Sequence, residues 1–178
     1  MIFTQIGSTL TSSNAATSSI TSGIDSTYDE YMILGTAINV ATDEAIFRFQ
    51  FNASSQSGYN ETITSTYFSN KHAEVDTDEG VGYNDGYDQH QATAFQTIFN
   101  EAGSGSSENG VIVLNIYSPS STTYVTHFIA IGMQHNAARY AEQSFVAGYI
   151  NTTAAITDVQ FKASTGNHDG VFQLFGIS

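Results

Sequence analysis

"AIFRFQF", residues 45–51, alternates Phe47, Phe49 and Phe51 with Ile46, Arg48 and Gln50. A period of two puts three rings on one face and the polar side chains on the other, the pattern of a half-buried strand. A helix would set successive rings about 200° apart and give them no common face.

The alternation returns in "DVQFKA" (158–163), where Val159, Phe161 and Ala163 oppose Asp158, Gln160 and Lys162. "VIVLNIY" (111–117) is apolar on both faces, which predicts a central strand. Further strands are predicted in "YDEYMILGTAINV" (28–40), "YNETITSTYF" (59–68), "YVTHFIAIGM" (124–133), "YAEQSFVAGYI" (140–150) and "VFQLFGI" (171–177), with a short one at Ile2–Ile6. In "ATAFQTIFNEAG" (92–103), Phe95, Ile98 and Phe99 recur at helical spacing and predict one short helix. Eight or nine strands, at most one short helix and closely spaced turns predict an all-β antiparallel sandwich, with the eight-stranded jelly roll as the favoured architecture.

Residues 8–22 are small and polar, so 1–22 is expected as an N-terminal arm and 23–178 as one β-sandwich domain. Fully extended, such an arm reaches about 75 Å.

Composition narrows the function. Charged residues make up only 12% of the chain, and Ser and Thr number 42, so hydroxyls supply the surface polarity. The net charge of −13, with four basic residues against 17 acidic ones, argues against nucleic acid and against anionic membranes as partners. The absence of cysteine excludes disulfides and thiolate zinc sites. "MIFTQIGSTL" lacks the pattern of a signal peptide, so synthesis in a cytoplasm without export is expected.

No catalytic motif is present. Gly80-Val81-Gly82 lacks the third glycine of a dinucleotide loop, and there is no Walker pattern, zinc helix or nucleophile elbow. His72, His90, His127, His135 and His168 have no metal-ligand spacing; His127 reads as a packed sheet residue and His168-Asp169 as part of a turn. The chain is therefore expected not to be an enzyme.

"NKHAEVDTDEGVGYNDGYDQHQ" (70–91) carries six of the 17 carboxylates and three glycines, and reads as a long surface loop. Asp76, Asp78 and Glu79 are candidate Ca²⁺ ligands, joined by Asp85 and Asp88, although EF-hand spacing is missing; the competing reading is a solvated acidic loop. Tyr83, Asn84, Asp85, Tyr87 and Asp88 combine rings, amide and carboxylates as glycan sites do; the competing reading folds both tyrosines onto the sandwich.

Three stretches, "TSGIDSTYDEYM" (21–32), "YSPSSTTYVTHF" (117–128) and "FVAGYINTTAAITDVQFKASTGNHDGVFQLFGI" (145–177), together resemble a group of small β-sandwich structural proteins encoded by tailed bacteriophages, many from aquatic environments. The resemblance implies a virion component without enzymatic activity or catalytic residues. It implies a capsid decoration or cement protein docked on the major capsid protein or other virion proteins, with a head- or tail-fibre knob that binds a receptor or glycan as the alternative. The expected location is the virion surface. The expected assembly is a homo-oligomer, and the resemblance implies a trimer. Residues 84–109 match the group least.

Overall fold

The computed structural model describes residues 1–178, which form thirteen strands: β1 (Phe3–Ala15), β2 (Ser18–Ile20), β3 (Glu30–Val40), β4 (Ala45–Ala53), β5 (Ile63–Ala73), β6 (Glu79–Tyr83), β7 (His90–Ala92), β8 (Gln96–Ala102), β9 (Gly110–Tyr117), β10 (Thr126–His135), β11 (Tyr140–Ile150), β12 (Ile156–Ala163) and β13 (His168–Ile177). They make two antiparallel sheets. The large one runs β1-β13-β3-β9-β10-β11-β5-β6, with β7 also on β5, and the small one runs β2-β12-β4-β8.

Eight of these strands have jelly-roll connectivity. Their first pairs with their last (β1·β13), second with seventh (β2·β12), third with sixth (β3·β9) and fourth with fifth (β4·β8). The remaining five come from two insertions, β5–β7 after β4 and β10–β11 after β9. Together they widen one sheet only.

The inward faces meet as the alternation predicts. Phe47, Phe49 and Phe51 on β4 and Phe161 on β12 are at most 1% exposed. Phe161 stacks on Phe172 of the large sheet with centroids 4.8 Å apart, and Phe49 meets Phe128 edge-on at 5.6 Å. The outer face of the small sheet is also closed, by loops: Gln50 is fully buried and its Nε2 donates to the carbonyls of Glu61 (3.0 Å) and Ala94 (3.0 Å).

Three expectations are corrected. The predicted helix is strand β8. Phe47 pairs with Phe99 but Arg48 with Thr97, so Ile98 is the extra residue of a β-bulge. The bulge turns Ile98 and Phe99 both inward, and that doubling imitates helical spacing. Nine strands were legible; the other four are β8 and the short β2, β6 and β7.

Residues 1–22 are no detached arm. β1 is an edge strand along β13, and β2 belongs to the opposite sheet. An edge strand exposed along most of its length needs no apolar alternation, which is why its sequence looks like a linker. Its ends are fastened. Ile2 and Ser178 exchange backbone hydrogen bonds, and Asn14 N donates to Asp169 Oδ1 at 2.6 Å.

His168 opens β13 instead of lying in a turn. Its ring is 1% exposed, with Nε2 2.6 Å from Ser18 Oγ and its plane edge-on to Phe47.

Truncating Phe161→Ala is expected to cost about 3–5 kcal/mol, read as a lower urea midpoint. Burial holds His168 below the ordinary imidazole value of 6.5. The unfolded chain therefore takes up this proton first as pH falls, and the native state loses stability below 6.5 down to its own lowered value. The urea midpoint is expected to drop as pH falls through 6.5 towards that lowered value, and to drop less in His168→Gln.

Candidate functional site

The large sheet turns one face to the core and the other outward, and nothing in the chain covers the outward face along β9, β10, β11 and β5. Strand parity puts Val111, Val113, Asn115 and Tyr117 there from β9, and His127, Ile129, Ile131, Met133 and His135 from β10. β11 adds Ala141, Gln143, Phe145, Ala147 and Tyr149, and β5 adds Thr64, Thr66, Phe68, Asn70 and His72. Not one of these is Asp, Glu, Lys or Arg, in a chain with 17 carboxylates.

The register aligns the apolar members. Leu34, Val113, Ile131, Phe145, Phe68 and Tyr83 sit side by side across six strands. Phe145 and Phe68 stack at 4.9 Å. Phe68 and Tyr83 in this row are exposed, and Ile129 and Met133, which flank Ile131 on β10, are 44% and 52% exposed, so the face is open to solvent. Six strands at about 4.8 Å spacing and eight residues at about 3.4 Å rise give a face roughly 25 Å square, with Glu30 on β3 and Glu79 on β6 at its margins. That is close to one side of a standard protein–protein interface.

The acidic segment 70–91 is not one long loop. β5 continues to Ala73, the chain turns at Asp76 (φ 54°), and β6 returns as the sheet edge. Gly80 and Gly82 were expected to break regular structure. They are tolerated because β6 has a partner on one side only.

The hairpin separates the candidate calcium ligands. Asp78 accepts from Lys71 Nζ at 2.7 Å and from Tyr140 OH at 3.1 Å, and Lys71 holds its carboxyl below the ordinary range. Asp76 and Glu79 instead join His72, with one ligand atom of each within 4.8 Å of the others and all three side chains exposed. Calcium takes six to eight oxygens. Two carboxylates and an imidazole do not make that cage.

The candidate glycan residues are split as well. Tyr83 is 57% exposed, and its hydroxyl donates to Asp88. Tyr87 turns inward against Tyr67, 5.4 Å between centroids, and donates to Asn100 Oδ1. Asn84 Oδ1 accepts from Gly86 N at 3.2 Å, and Asp85 is exposed. Only one of the two rings is free to cover a ligand.

A polar trough lies on the other side of this hairpin, where the small sheet has ended and the inner faces of β5 and β6 have no facing strand. Two adjoining hollows of about 250 Å³ each share Ser69, Lys71 and Asn84. At the back stands Glu142, 7% exposed. Its Oε2 accepts from Gln134 Nε2 and Asn136 Nδ2, each at 3.1 Å. Its parity could have revealed it: Glu142 falls in step with the inward Val146 and Ile150 of its own strand.

The chain matches no known protein family, no curated protein and no solved structure.

Burial, with Glu101 nearby, raises the Glu142 carboxyl above its ordinary value of 4.5; the two amides and Lys71 oppose this. The native state thus keeps this proton to higher pH than the unfolded chain. Its contribution to stability is greatest below 4.5 and declines as pH rises through the native value. Glu142→Gln is expected to flatten that decline in urea titrations across the weakly acidic range.

Proposed function

We propose that the chain is a structural protein of a bacteriophage virion, a decoration protein that docks on the capsid and stabilises the shell. One observation carries the reading: the apolar outer face that β9, β10, β11 and β5 present, with no Asp, Glu, Lys or Arg among the side chains those four strands turn outward. Solvent-exposed apolar patches of this extent mark interaction surfaces. A protein of charge −13 repels most acidic neighbours, and on this face the carboxylates stand only at the margins, Glu30 by Asn115, Glu74 by His135 and Asp76 by His72.

Two further features support the reading. Jelly-roll domains recur in viral capsids, although a fold alone assigns no function. The three stretches that carry the bacteriophage resemblance reach the docking face in part: 117–128 bring Tyr117 and His127 to it, and 145–177 bring Phe145, Ala147 and Tyr149. The occupant of the face is the capsid shell, whose lattice offers a continuous surface to a flat sheet. The role involves no catalytic step.

Ile129 and Met133 lie outside the core and about half exposed. Replacing both with Asp is therefore expected to leave the fold intact at a cost of no more than about 2 kcal/mol. Wild-type protein added to virions lacking it is expected to co-sediment with them and to raise the temperature at which they release DNA; the Ile129→Asp/Met133→Asp variant is expected to do neither. The reading fails if virions without the protein are equally resistant to heat and osmotic shock, or if the variant docks normally. It also fails if sedimentation of the free protein shows the same face closed by a second copy.

A further inference from the structure

From the trough between β6 and the end of the small sheet, we infer that the protein carries a binding site for a neutral polyhydroxylated ligand, a carbohydrate chain. The inference rests on the trough alone and holds whichever surface docks on the shell.

The first observation is a carboxylate left incomplete. Glu142 is more than nine-tenths buried and lines the hollow. Both of its protein donors reach Oε2, and none reaches Oε1. Oε1 opens on the hollow, where solvent reaches it and a ligand hydroxyl can donate to it in place of water.

The second observation is independent of charge. Gly80 and Gly82 lie opposite the inward-facing Lys71 and Ser69, so both line the same trough. An added Cβ at either would meet nothing within 4 Å, so their bareness is not forced by packing. Neither has the positive φ that only glycine adopts readily. Glycine weakens a strand, and in strand interiors it marks places where a ligand approaches the backbone closely.

The unused hydrogen-bonding groups identify the ligand class. Glu142 Oε1 and the Glu101 carboxylate accept. The side-chain amides of Asn84 and Asn100 have their oxygens engaged by Gly86 and Tyr87, which leaves their NH₂ groups to donate. Ser69 Oγ does both. A sugar hydroxyl donates and accepts at once, so neighbouring hydroxyls satisfy both sets.

Other classes fit less well. Two carboxylates oppose an anion, and Lys71, the cation present, is already held by Asp78. The same ammonium opposes a divalent cation.

The geometry provides a clean test. Gly82→Val puts a branched side chain into open space on a strand that favours it, so it fills the trough without disturbing the fold. The probes are a panel of immobilised bacterial surface polysaccharides and, separately, calcium chloride. Wild-type protein is expected to bind at least one polysaccharide. Gly82→Val is expected to weaken that binding at least about tenfold with an unchanged melting temperature, and Glu142→Gln to weaken it too. The inference is overturned if no polysaccharide in the panel binds, or if Gly82→Val binds as well as wild type. It is equally overturned if calcium raises the melting temperature of wild type but not of Glu142→Gln, which would make the trough a cation site.

Discussion

Phenylalanine against phenylalanine across the gap between two sheets is the contact on which everything else in this protein depends. Phe47, Phe49 and Phe51 project from one strand, Phe161 from its neighbour, and Phe128 and Phe172 meet them from the other sheet. Each aromatic side chain removes about 150–250 Å² from water. With no disulfide available, this apolar layer and the backbone ladders around it hold the two sheets face to face.

The sandwich is lopsided, and its candidate sites follow from that. Insertions after β4 and β9 extend the large sheet well past the edge of the small one. The overhang has two surfaces. Its outer surface continues the apolar face of β9–β11 as far as Phe68 and Tyr83, with Glu79 and Asp76 beside His72 at the edge. Its inner surface, with no strand opposite, becomes the polar trough that contains Glu142. The small sheet has no such freedom, because loops at 61 and 93–94 cap Gln50 and close its outside.

Period-two patterning made the core legible. "AIFRFQF" and "DVQFKA" each reveal which side chains are buried, and the parity of "YAEQSFVAGYI" already points Glu142 inward. Parity fails where a strand contains an extra residue, as β8 does at Ile98. It is silent for an edge strand such as β1, whose side chains contact water on both sides. Glycine content misleads at Gly80 and Gly82, since a sheet margin tolerates what an interior strand would not. The candidate calcium and glycan residues were near one another in sequence, but the chain turns between them. Asp76 sits in the turn between β5 and β6 at φ 54° while Asp78 lies beyond it, and Tyr83 ends β6 while Tyr87 lies in the turn that follows.

The pairing of β1 with β13 and of β2 with β12 has a consequence for synthesis. β1 and β2 have as their only ladder partners β13 and β12, which are made more than a hundred residues later. Until β12 and β13 emerge, β2 and β1 have nothing to pair with, and β3 presents an unpaired margin where β13 will lie. Closing contacts between chain ends this far apart is slow, and exposed strand margins are prone to aggregation meanwhile. A nascent chain stalled before His168–Ile177 would hold most of the phenylalanine layer and still lack the strand that locks it.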